Sequence, residues 1–104
     1  MTYENISPSE AKSRMDTNPE AVIVDVRRPD EFVTGHIPGA INVPLADIQD
    51  GNIPPCMADK NAAYLIYCRS GVRSVTAAVA LEKMGYTHLA NFGGILDWPY
   101  EIEH

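Results

Sequence analysis

Two apolar stretches dominate the pattern of hydrophobic and polar positions: Ala21-Val22-Ile23-Val24-Asp25-Val26 and Tyr64-Leu65-Ile66-Tyr67-Cys68. Each is short, nearly continuous and rich in β-branched or aromatic residues, which predicts strands covered on both faces, as in a parallel sheet. Shorter strands are predicted at Ala40–Val43 and Tyr86–Asn91, and an edge strand at Tyr3–Ile6. Ser7-Pro8-Ser9-Glu10 reads as a helix start, with a capping serine, proline at the first helical position and glutamate three residues after the cap. That helix is expected to run to about Asp16, before the turn Thr17-Asn18-Pro19-Glu20. Arg73 to Met84 carries Val75, Ala77, Ala78, Val79, Ala80, Leu81 and Met84, so it predicts a largely buried helix stopped by Gly85. Short helices are expected after Pro29 and Pro44 and over Ile95–Trp98, with Gly93-Gly94 as a turn. Strands alternating with helices define an α/β fold with a mainly parallel sheet, in which ligands bind beyond the carboxyl ends of the strands.

Candidate chemistry falls at those ends. The second apolar run delivers Cys68 to a loop, Arg69-Ser70-Gly71-Val72, that opens a helix at about Arg73. Unpaired N–H groups and the positive end of the helix dipole suit such a corner to an anion, and the same field favours thiolate over thiol. The alternative is that Cys68 is a small buried hydrophobe ending a core strand. Of five arginines, Arg27 and Arg28 follow one predicted strand and Arg69 and Arg73 the other, so neighbouring strands would gather one basic pocket. The competing reading pairs Arg27 and Arg28 with Asp30 and Glu31 at the surface. His36, in the Gly-Pro-rich turn 35–40, is read as structural, and Cys56, after two prolines, as an ordinary loop or packing cysteine.

Composition narrows the class. At 104 residues the chain has the length of one domain, spanning 1–104, with 45% hydrophobic and 21% charged residues. The formal net charge of −6 argues against nucleic acid or an anionic membrane as partner. No apolar run approaches transmembrane length and the first residues lack signal-peptide character, so the expected location is the cytoplasm. Two cysteines make no disulfide framework and fit no zinc pattern.

Five blocks, taken in order, resemble a known family. They are Asp25-Val26-Arg27, Glu31-Phe32, Gly35-His36-Ile37-Pro38-Gly39-Ala40-Ile41-Asn42-Val43-Pro44, Tyr67-Cys68-Arg69-Ser70-Gly71-Val72-Arg73-Ser74 and Gly93-Gly94-Ile95-Leu96-Asp97-Trp98. Together they look like a single-domain rhodanese over nearly the whole chain. The resemblance implies a central, mostly parallel five-stranded sheet flanked by helices, and a sulfurtransferase of the thiosulfate type. Cys68 would be the nucleophile and persulfide carrier, and Arg69, Ser70, Gly71, Val72 and Arg73 the cradle around sulfur and substrate. Asp25, Arg27 and Glu31 would be supporting framework. The implied partners are a small anionic donor such as thiosulfate and a thiol acceptor, a protein thiol included, or a cyanide-like one; no metal or organic cofactor is required. A persulfide carrier or docking module is the alternative. A cysteine phosphatase or arsenate reductase is disfavoured, because those carry a longer loop between cysteine and arginine than the four residues here.

Overall fold

The computed structural model describes residues 3–104. Its strands are β1 (Tyr3–Asn5), β2 (Val22–Asp25), β3 (Ile41–Asn42), β4 (Ala63–Cys68) and β5 (His88–Gly94); its helices are α1 (Pro8–Thr17), α2 (Pro29–Phe32), α3 (Leu45–Gln49) and α4 (Val72–Lys83). Single 3-10 turns lie at Pro55–Met57 and Ile95–Asp97. The strands form one sheet in the order β1-β5-β4-β2-β3, and every pairing is parallel. β4 and β2, the two apolar runs, are therefore central neighbours, with β3 beyond β2 and β5 beyond β4.

Residue parity along β4 divides the core. Tyr64, Ile66 and Cys68 face the cluster that holds Val24, Ile48, Ala77, Ala78 and Leu81, whereas Leu65 and Tyr67 face Ala11, Ile37, Phe92 and Trp98. Cys68 is thereby directed to the side on which α3 and α4 pack. Along α4 the fully buried positions are Ser74, Ala77, Ala78 and Leu81, the spacing of one helical face. Small residues there bring the helix close over the sheet, and Gly85, at φ +99°, ends it in a left-handed conformation open to glycine.

The N-terminal cap forms as its sequence suggests, with the Glu10 N–H donating to Ser7 Oγ at 3.1 Å. The Glu10 carboxylate does not close the box; it accepts instead from Arg14 Nε at 3.0 Å. One expected turn is absent. Gly93-Gly94 continues β5, because the pairing with β4 resumes at Cys68–Gly94 beyond a register shift between Ile66 and Cys68. A second departure concerns the arginines. Arg27 and Asp25 are buried together, with Arg27 Nη2 at 2.7 Å from Asp25 Oδ2 and also 2.7 Å from the Gly35 carbonyl oxygen. Arg28 lies outside on Asp30, so Arg27 clamps the turn between α2 and β3 and adds no charge to a pocket. Among the described residues no helix is long and apolar enough to cross a membrane.

Candidate active site

Residues 68–74 make the corner between β4 and the first turn of α4, at the carboxyl edge of the sheet and beside the end of β2. Gly71 adopts φ +106°, a left-handed conformation that turns the chain sharply into the helix. As a result the loop folds back over its own cysteine, and the Gly71 N–H donates to Cys68 Sγ at 3.0 Å. Ser74 Oγ lies 3.4 Å from the same sulfur and 3.4 Å from the Gly93 carbonyl oxygen. As a thiol, Cys68 donates to Ser74; once ionised it accepts from the hydroxyl.

Cys68 is 1% exposed, and burial alone would push its thiol up. The Ser74 hydroxyl and the N–H groups of Ser74, Gly71 and Ser70 together outweigh that penalty, leaving the pKa below the ordinary thiol value. A buried inert cysteine has its pKa raised, so the lowered value sets Cys68 apart from a residue that only packs. The N–H groups at the start of α4 are the orphan donors of a helix terminus, here converging on one sulfur.

The arginines of the loop differ sharply. Arg69 is exposed and its side chain has no hydrogen-bond or ion-pair partner among the described residues. Arg73 is held: its Nη1 donates to Glu31 Oε1 at 2.6 Å and its Nη2 to Glu31 Oε2 at 3.0 Å. Glu31 stands in α2, and its carboxyl falls to about 2, chiefly through those bonds and against the cost of burial. Arg73 remains near enough to Cys68 for a thiolate there to favour its charge. The three charged positions 28, 31 and 73 thus form one network, with the Arg28 N–H donating to Glu31 Oε1 at 3.1 Å.

Asp25 and Arg27 sit behind the site. The Asp25 carboxylate accepts from the Arg27 N–H at 2.9 Å and from Nε at 3.0 Å, while the Asn42 side chain donates to the Asp25 and Arg27 carbonyl oxygens. Ile37 N–H donates to the hydroxyl of buried Tyr67, whose own ionisation is pushed up by burial. His36 stacks on Phe32 with ring centroids 3.9 Å apart, its Nδ1 3.1 Å from the Phe32 carbonyl oxygen. Cys56 is exposed in the 3-10 turn before β4, and both cysteines are free thiols. Among the described residues no group of three or more His, Cys, Asp or Glu is placed to hold a metal ion.

Two contributors escape sequence reasoning. Ser74, given no role beyond closing the block Tyr67–Ser74, touches the sulfur. Gly94 supports the loop from beneath: a Cβ on it would lie 2.1 Å from the Arg69 carbonyl oxygen and 2.6 Å from the Ser70 Cα. The paired glycines read as a turn in sequence; only the extension of β5 to Gly94 makes it a glycine inside a strand, which marks close approach of another backbone.

The fold is a parallel α/β sheet that carries, at the carboxyl end of a central strand, a cysteine ringed by N–H donors with its pKa lowered. The Rhodanese-like domain family matches residues 7–100, and the chain belongs to that family. It is 40% identical over 74 residues to the thiosulfate sulfurtransferase PspE of Escherichia coli, spanning 71% of this chain and 70% of PspE. Among solved structures, a rhodanese-like domain protein from Staphylococcus aureus superposes with TM-score 0.81 at 33% identity, covering 96% of each chain. A structure described as a rhodanese with anions, from E. coli, superposes with TM-score 0.72 at 36% identity, covering 80% of this chain and 96% of that one.

Proposed function

We propose that this domain transfers a sulfane sulfur from thiosulfate or a related donor to a thiophilic acceptor through a persulfide on Cys68. The observation that carries the reading is the Cys68 sulfur held at 3.0 Å by the Gly71 N–H, with its pKa lowered despite burial. The Cys68 thiolate attacks the outer sulfur of thiosulfate; a Sγ–S bond forms, the S–S bond of thiosulfate breaks, and sulfite leaves with the electron pair. An acceptor such as cyanide then attacks the terminal sulfur, thiocyanate departs and the thiolate is regenerated. Both steps move negative charge, so fixed donors that need no reorganisation contribute most. The N–H groups of the loop hold the sulfur, and Arg69, the loop cation without a partner among the described residues, meets the anionic end of the donor.

Relatives support the chemistry by name: PspE is a thiosulfate sulfurtransferase, and a solved E. coli rhodanese holds anions. A carrier role uses the same persulfide with a protein acceptor. It is favoured by Val72 and Leu96, 73% and 61% exposed, which put apolar surface beside the loop.

The test is mass spectrometry of the protein before and after thiosulfate, then after cyanide, with the peptide mapped. The expected result is one added sulfur atom on Cys68, removed by cyanide with thiocyanate formed, and no addition in Cys68→Ser. Addition elsewhere, or none although Cys68 alkylates readily, overturns the reading. Loading from a persulfidated donor protein, compared with thiosulfate turnover, separates carrier from enzyme.

A further inference from the structure

Oxyanions are held best by a bidentate guanidinium fork, and the first turn of α4 carries one in Arg73. That fork is already filled. Both Nη atoms donate to the two oxygens of Glu31 at 2.6 and 3.0 Å, in the geometry a sulfate or phosphate would take. Glu31 is itself fixed by the Arg28 N–H and by its place in α2, its side chain only 15% exposed. The cradle is left with Arg69 as its one cation without a partner among the described residues.

We propose that Glu31 is a specificity determinant: an internal counter-anion that holds down the affinity of the Cys68 loop for tetrahedral dianions and so favours donors of lower charge. Thiosulfate, sulfite, sulfate, phosphate and arsenate all bring two charges or a tetrahedral oxyanion head to a pocket with one free guanidinium. An alkyl persulfide, R–S–SH, brings at most one charge and no tetrahedral head: in its protonated form the Cys68 thiolate takes its terminal sulfur, the S–S bond breaks and R–S⁻ leaves with the pair. Glu31 also lets sulfite depart after thiosulfate has reacted, since no second arginine retains it. The proposal rests on the loop being the sulfur site, and it names the class of donor that site prefers.

The experiment is protection of Cys68 from iodoacetamide by inorganic sulfate, which reads anion binding without any sulfur transfer. Glu31→Gln is expected to lower the half-protecting sulfate concentration by about tenfold, the order expected when a charge-assisted fork is released. Glu31→Asp, which keeps the charge but withdraws it by one methylene, should shift the same way by less. It also serves if the glutamine variant does not fold. In parallel, the ratio of kcat/KM for thiosulfate to that for a small alkyl persulfide should rise in the variants. Unchanged or weaker sulfate protection in both variants overturns the proposal. Strengthened protection in a protein that takes up sulfur from neither donor leaves the anion role of Glu31 standing and refutes the sulfur-transfer reading instead.

Discussion

Gly93 and Gly94 are neighbours that are glycine for opposite reasons, and substituting each with alanine separates space from conformation. Gly94 has extended backbone, φ −128° and ψ 153°, which any residue adopts. Its Cβ, however, would stand 2.1 Å from the Arg69 carbonyl oxygen, where ordinary contact needs about 3.5 Å. Strand and loop must therefore part by about 1.4 Å, since the nearest atoms, the Arg69 carbonyl and the Ser70 Cα, are all backbone. Overpacking of this kind costs ~1–3 kcal/mol, or a fall in Tm of roughly 5–20 °C for a domain of this size. Reactivity should suffer more than stability. Displacing the loop breaks the 3.0 Å contact of the Gly71 N–H with Cys68 and the 3.2 Å bond from the Leu96 N–H to Arg69. A misplacement of about 1 Å costs on the order of 100-fold in rate. At Gly93 a Cβ meets nothing within 4 Å, but φ is +94°, so alanine there costs ~1 kcal/mol of strain with the loop in place. Thermal unfolding and the pH profile of Cys68 alkylation, read on both variants, decide the matter. If Gly94→Ala alkylates like the parent, or Gly93→Ala loses reactivity as severely, the packing argument is refuted.

Two further substitutions address the thiolate and the framework. Ser74→Ala removes the hydroxyl at 3.4 Å and leaves the backbone donors, so the alkylation inflection should move up towards the ordinary thiol value and the rate at neutral pH fall by about 3- to 10-fold; an unmoved inflection would discharge Ser74 from any role. Asp25→Asn strips the charge from a pair whose side chains are 0% and 5% exposed, for an expected loss of ~3–5 kcal/mol. Arg28→Ala, at a pair with 67% and 71% exposed side chains, should cost no more than about 0.5 kcal/mol, and equal losses at the two positions would contradict the assignment of Asp25–Arg27 as the buried clamp.

What the sequence disclosed followed from periodicity and punctuation. The runs 21–26 and 64–68 are continuous because both faces of β2 and β4 are covered, and the cap at Ser7 and stop at Gly85 are local backbone chemistry. The Cys68 loop was legible for the same reason: strand end, glycine and helix start are consecutive in the chain. Pairing between distant residues was not. Nothing in the order of residues says that Arg27 turns inward to Asp25 and the Gly35 carbonyl, or that Arg73 reaches back 42 positions to Glu31. Gly93-Gly94 read as a turn because the usual signal of paired glycines is a turn, whereas here the local preference yields to the approach of the loop on the next strand.

The fate of the arginines then bears on how an acidic protein captures an anion. A net charge of −6 opposes the approach of an anionic donor at long range, so electrostatic steering cannot supply the affinity. Two of the four arginines near the strand ends are spent on structure: Arg27 is buried against Asp25, and Arg28 pairs with Asp30. A third, Arg73, is neutralised by Glu31. Capture of the proposed donor would then rest on contacts that act only within the loop, namely Arg69 and N–H groups aimed at the sulfur. Under the proposed function, a site built in this way would stabilise negative charge on Cys68 and on a transferred sulfur more strongly than it would attract an anion from solution. That ordering suits a step in which charge develops at a held sulfur atom, and it explains how a basic active-site loop persists in a chain of pI 4.8.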